Sequence, residues 1–180
     1  MEFSVKPGFE DILLVRVLLY PYLLIKAIYL IDLKSMRLTT FSDYSLRVLM
    51  YLALQDDRLA TIQEIANAYD ISESHLMKVV HQLALSGAVE TVRGKGGGLR
   101  LALDPSQIRI GQVVRQAEGA GPVVECLSGD PVTCCIAPVC KLPRALTRAF
   151  DAFYAELDRY TLADMVVRPG ELKRVLVLPR

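Results

Sequence analysis

Outside one stretch the chain has no cysteine. All four lie in Cys126-Leu-Ser-Gly-Asp-Pro-Val-Thr-Cys134-Cys135-Ile-Ala-Pro-Val-Cys140. A free cysteine behaves as a small apolar residue and scatters through cores. Thiols gathered in one Gly- and Pro-containing loop are not explained by packing, and such a set can converge on one soft metal centre. An excess of charge of one sign is also lacking. Lys plus Arg number 21 and Asp plus Glu 20, so bulk charge names no partner and the pattern must be read locally. No small-residue cleavage site follows the hydrophobic N-terminal run, which reads against a secretory signal. Cys134 and Cys135 are adjacent, and 180 residues are too many for a disulfide-stapled mini-fold. The thiols are therefore read as reduced, metal-binding and cytoplasmic.

Hydrophobic residues make up 52% of the chain, and the mean hydropathy is +0.32. Much of that excess sits in residues 1–35. Ile12 to Ile31 has the length of a membrane span, but it contains Arg16, Pro21 and Lys26. Two cations near the bilayer midplane cost about a few kcal/mol each. At Met36 the composition becomes that of an ordinary globular protein. Residues 1–35 are expected to be an extension from an upstream start, with Met36 the natural one. No membrane partner is expected, and a tether through residues 12–31 is the alternative.

Thr40-Phe-Ser-Asp43 opens a helix, with Thr40 as its cap and Asp43 in the first turn, where a negative charge suits the helix dipole. Tyr44, Val48, Tyr51 and Leu52 share one face, and the helix ends near Leu54. Thr61-Ile-Gln-Glu64 is a capping box that starts a short helix to Ala68. After Tyr69-Asp-Ile71, Ser72-Glu-Ser-His75 starts another helix, which runs to Leu85 and stops at Ser86-Gly87. This is a helix-turn-helix pattern. Leu76, Val79, Val80 and Leu83 face the core. Ser72 and Ser74 at the start, with His75, Lys78, His81 and Gln82, are left for a DNA-facing side. His75 and His81 do not share a face, so they make a poor metal pair.

Val89–Arg93 and Leu99–Leu103 alternate like strands around Gly94-Lys95-Gly96-Gly97-Gly98, so they form a hairpin. A helix-turn-helix followed by a hairpin is a winged helix. Its wing carries Arg93, Lys95 and Arg100, with no acid between Glu90 and Asp104. Glycines such as Gly96 and Gly97 let the backbone approach a polyanion closely. The cations can pair with phosphates or enter a minor groove. The glycine run lacks a Gly-Lys-Ser/Thr ending and no helix follows it, which reads against a nucleotide-binding P-loop.

Ile110–Glu118 reads as a short helix with Val113, Val114 and Ala117 buried. Gly119-Ala-Gly-Pro122 breaks it and opens the cysteine loop. Pro143 suits the first turn of a long amphipathic helix to Tyr160, with Leu146, Ala149/Phe150, Phe153 and Leu157 in a row. Such a helix is expected to pair with its copy in a homodimer. Thr161-Leu-Ala-Asp-Met165 caps a last short helix. The expected fold is mostly α with a small β-hairpin wing, a winged helix-turn-helix with a long C-terminal dimerisation helix. Its expected divisions are 1–35 (extension), 36–103 (winged helix), 104–141 (helix and cysteine loop), 142–166 (dimerisation helix and cap) and 167–180 (tail).

The cysteine spacings are Cys126-x7-Cys134 and Cys134-x5-Cys140. Adjacent Cys134 and Cys135 sit poorly on one ion, so three thiolates and one outside ligand are expected. Zinc prefers four ligands in close pairs. An iron–sulfur cluster tolerates loose spacing and a non-cysteine ligand. The positive end of the following helix, with Lys141 and Arg144, stabilises thiolates and a negative cluster.

Several stretches together resemble the Rrf2 family of bacterial iron–sulfur repressors, and within it the nitric-oxide-sensing branch. They are Met36-Arg-Leu-Thr-Thr-Phe-Ser-Asp-Tyr-Ser-Leu-Arg47, the helix-turn-helix, Val92-Arg-Gly-Lys-Gly-Gly-Gly-Leu-Arg100, Ile110–Glu118, Cys134-x5-Cys140-Lys-Leu and Tyr160-Thr-Leu-Ala-Asp164. The resemblance covers Met36 to Val166. It implies a dimeric DNA-binding repressor and no enzyme. It implies a cluster held by Cys126, Cys134 and Cys140, with the partner subunit's Asp43 as fourth ligand. It also implies that nitric oxide releases palindromic promoter DNA and derepresses detoxification genes. The iron–sulfur-biogenesis branch uses a His three residues after its last cysteine, and Pro143 stands there here. The Cys126–Cys134 loop is longer than usual in the family, and Cys135 is extra and an alternative ligand to Cys134. Both [4Fe-4S] and [2Fe-2S] stay open. The alternative function is an iron–sulfur or thiol redox protein, or another regulator of this family serving iron–sulfur or redox-stress genes.

Overall fold

Helix α1 (Thr40–Ala53) is capped by Thr39, whose side chain accepts from the Ser42 N–H. The cap thus lies one residue before the Thr40 expected from sequence, because Thr39 has the extended backbone a cap needs (ψ 154°) while Thr40 is already helical. Val48, Leu49, Tyr51 and Leu52 are buried, as is Ser45, whose hydroxyl bonds back to the Phe41 carbonyl at 2.8 Å. The computed structural model describes residues 37–55, 58–119, 121, 124–127 and 134–176. The described residues from Leu38 onward form one compact unit. The expectations for residues 1–35, the hydrophobic run at 12–31 included, lie outside the described residues. Among the described residues no helix is long and apolar enough to cross a membrane.

Helix α2 (Ile62–Tyr69) carries the expected capping box: Thr61 and Glu64 satisfy each other's backbone N–H groups. Asp70 takes a left-handed conformation (φ 53°) and turns the chain. Helix α3 (Glu73–Leu85) follows, with Leu76, Val79, Val80 and Leu83 buried against α1 and α2. Strands β1 (Val89–Val92) and β2 (Gly98–Leu101) pair antiparallel, with Glu90 opposite Arg100 and Thr91 opposite Leu99. Ala60, just before α2, makes a bridge to Leu99 with bonds of 2.7 and 3.0 Å. A Cβ at Gly98 would lie 2.7 Å from the Ala60 carbonyl oxygen, so glycine permits that approach. The bridge pins the wing's root to the helix-turn-helix. A single-residue bridge has no alternation to betray it in sequence.

Helix α4 (Ile110–Glu118) packs on α1 and buries Val113 and Val114, with Ala117 half-buried. Helix α5 (Leu142–Leu157) lies against α4, and none of its residues is buried. It ends before the expected Tyr160, whose carbonyl accepts from the Ile110 N–H at 3.0 Å. Helix α6 (Leu162–Met165) has a capping box from Thr161 and Asp164, which holds the Asp164 carboxyl below its usual range. The stretch expected to be a tail holds helix α7 (Pro169–Val175), with Pro169 and Glu171 in its first turn and Lys173 and Arg174 in its last. That order of charge suits the helix dipole, but so short a segment has no apolar period to reveal it.

Candidate functional site: the reading face and the cysteine segment

Helix α3 keeps its apolar row inward and leaves Ser72, Ser74, His75, Lys78, His81 and Gln82 all exposed. Ser72 occupies the cap position but makes no side-chain cap bond, and its hydroxyl lies 3.3 Å from that of Ser74. The His75 ring sits 6.3 Å from the Tyr44 ring of α1. At the wing tip Arg93, Lys95 and Gly96 are exposed. Gly94 and Gly96 have φ of +103° and +79°, conformations glycine adopts freely. A Cβ at Gly97 would collide with the Val92 carbonyl, so the tip closes only with glycine there. Arg93 and Lys95 make no ion pair among the described residues. Arg100 does: its Nε donates to Glu90 at 2.8 Å across the strands. That bond holds the Glu90 carboxyl below its usual range. The three wing cations are therefore not equivalent.

The thiols sit on two short turns. Cys126 lies in the turn Glu125–Leu127. The Ala137 N–H donates to the Cys134 carbonyl (3.1 Å), and the turn Ala137–Val139 leads to Cys140 and then α5. All four cysteines are free; Cys126 and Cys140 are half-buried, while Cys134 and Cys135 are exposed. Among the described residues no three His, Cys, Asp or Glu side chains of the chain stand together as a metal cage. Residues 128–133, inside the loop, lie outside the description. The donor chemistry nonetheless fits an iron–sulfur cluster, since the thiols are unpaired and soft and lie close together in sequence.

Asp43 holds Arg47, one helical turn on, through two contacts of 3.0 and 2.8 Å. The Arg47 guanidinium lies 6.0 Å from the Tyr44 ring and 5.7 Å from the Tyr69 ring. Burial pushes the Tyr69 hydroxyl up to about 12, against the opposing pull of Arg47. Asp43 thus connects through Arg47 and Tyr44 to His75 in the first turn of α3. At the same end of α1, Glu118 accepts from the Thr39 N–H (2.7 Å), the Thr39 hydroxyl (3.1 Å) and the Ser42 hydroxyl. Sequence reasoning missed Arg47 and Glu118. Arg47 was findable from its i, i+4 spacing to Asp43. Glu118 had no local signal, because its partners are 76 and 79 residues away.

A helix-turn-helix with an open polar face, followed by a hairpin with a basic glycine-rich tip, defines a winged-helix DNA-binding regulator. The comparisons with known proteins narrow this class. Residues 38–168 match the model of the Rrf2 family, described as an iron-dependent transcriptional regulator. The chain is 46% identical over 142 residues to the HTH-type transcriptional regulator NsrR of Bacillus subtilis, covering 78% of this chain and 97% of that protein. It is 44% identical to the regulator of the same name from Geobacillus kaustophilus, covering 78% of this chain and 97% of that one. Among solved structures it is similar to CymR, the global cysteine regulator of B. subtilis (28% identity, TM-score 0.58, covering 73% of this chain and 97% of that one). T. potens IscR shares the fold at 24% identity and TM-score 0.58, covering 76% of this chain and 90% of that one. The chain belongs to the Rrf2 family. It is a DNA-binding transcriptional regulator and not an enzyme.

Proposed function

We propose that the chain is a cytoplasmic, homodimeric repressor that senses nitric oxide through an iron–sulfur cluster. The observation that carries this reading is the group of free thiols on a segment that runs from α4, which packs on α1 of the DNA-binding unit, to the amphipathic α5. The names of the relatives point the same way. Cys126, Cys140 and one of Cys134 or Cys135 hold the cluster, and the partner subunit's Asp43 completes the set. When bound, the cluster supplies iron that nitric oxide coordinates in competition with protein ligands.

The chain's own residues do the rest. A carboxylate is the weakest donor of this set, and Asp43 has an alternative partner at hand in Arg47. A change at Asp43 moves Arg47, and Arg47 lies by Tyr69 and by Tyr44, whose ring adjoins His75 of α3. The exposed Ser72, Ser74, His75, Lys78, His81 and Gln82 read base edges and phosphates of a major groove. Arg93, Lys95 and the backbone at Gly96 and Gly97 hold phosphates or the minor groove, and Arg100 takes part only if it leaves Glu90. Pairing through α5 sets two α3 helices about one DNA turn, or a multiple of it, apart on a palindromic promoter.

Anaerobic purification followed by visible absorbance and native mass spectrometry, with and without nitric oxide, tests the reading and distinguishes [4Fe-4S] from [2Fe-2S]. Cys140→Ala is expected to abolish the cluster and make operator binding insensitive to nitric oxide. A variant that bound and released DNA as the wild type does would sink the proposal.

A further inference from the structure

Glu118 is the last residue of α4, and Gly119 (φ +76°) carries the chain from it toward the cysteines. Its Oε1 accepts from the Thr39 N–H, the Thr39 hydroxyl and the Ser42 hydroxyl. Thr39 caps α1, Ser42 is fully buried, and Asp43 is the next residue. A carboxylate at a helix N-terminus is favourable, and hydrogen bonds to it are charge-assisted. Yet α1 does not need Glu118 in order to begin. Thr39 already caps it locally by accepting from the Ser42 N–H at 3.2 Å. What Glu118 adds is a fixed link between the start of α1 and the root of the cysteine segment.

We propose that Glu118 is a positioning residue of the switch. It holds the N-terminus of α1, and with it Asp43, to the point where the cysteine segment departs. Displacement of that segment is thereby passed to α1, and from α1 to α3, which packs against it. The inference rests on the cluster reading above, and it deepens that reading by naming the joint through which the sensor acts within one subunit.

The test uses full-length protein, cluster-loaded and cluster-free, on one promoter fragment bound by the loaded wild type. The quantity read is the ratio of the two operator affinities, alongside iron content and melting temperature. Glu118→Ala is expected to shrink that ratio by about tenfold, the scale of a typical coupling between sites. Glu118→Gln keeps an acceptor oxygen in place and is expected to preserve most of it. Ser42→Ala removes one of the bonds while leaving the Thr39 cap, and is expected to give an intermediate ratio even if Glu118→Ala folds poorly. Arg115→Gln breaks the Arg115–Asp158 pair (3.0 Å), which holds α4 to the end of α5; it is expected to lower the melting temperature without changing the ratio. Glu118→Ala with a wild-type ratio, or an equal loss in Arg115→Gln, overturns the inference and leaves the cluster reading standing. A wild-type ratio of one overturns the cluster reading and the inference with it.

Discussion

Single residues in this chain carry different loads even where their chemistry is alike. Arg93, Lys95 and Arg100 look equivalent as a basic wing, but Arg100 spends its guanidinium on Glu90. Lys95, at the exposed tip, is a compact, strongly hydrated point charge. Lys95→Ala is expected to weaken binding to all DNA sequences alike and to reduce the salt slope of the affinity by about one unit. Titrating affinity against salt on specific and random duplexes checks this; loss confined to one sequence would mean that Lys95 reads bases. Asp43 also has two claims on it. It favours the α1 dipole from the first turn and binds Arg47, and both are compatible with its carboxylate being lent to a partner subunit.

The elements are joined by contacts that tolerate little change. A Cβ at Gly111 would lie 2.6 Å from the Tyr154 carbonyl oxygen and would collide with the Asp158 carboxylate. Among the described residues that carboxylate's buried Oδ1 has no partner, while its Oδ2 is held by Arg115, whose guanidinium lies 4.7 Å from the Tyr154 ring. Gly111→Ala is therefore expected to pry α5 from α4 and to cost about 1–3 kcal/mol, the usual penalty of overpacking. A denaturant titration measures it, and an unchanged midpoint would show that the two helices yield freely. The capping boxes of α2 and α6 were legible beforehand because each is a local pattern of a hydroxyl followed three residues later by an acid. The true cap of α1 was not, since Thr39 and Thr40 offer the same side chain and only the backbone chooses between them.

At the scale of the whole molecule, α5 is an amphipathic helix without a buried residue; Leu146, Phe150 and Leu157 are half-buried and Phe153 is 36% exposed. Under the dimer proposal these residues meet their copies. Phe153→Asp is then expected to lower the sedimenting mass to that of one chain and to weaken binding to a palindrome far more than to a half-site. A variant that stays dimeric would place the interface elsewhere. The helix-turn-helix, the wing and the isolation of the thiols are legible in the amino-acid order alone, because periodicity, caps, turn glycines and composition are all local. Folding settled which side chains and backbone groups meet across elements. It set the Ala60–Leu99 bridge at the wing's root, the commitment of Arg100 to Glu90, and the bond from Glu118 to the start of α1. The thiols of the cysteine segment were visible as composition, but the bonds from Glu118, just ahead of that segment, to Ser42 and Thr39 join residues 76 and 79 apart, and no local pattern encodes that distance.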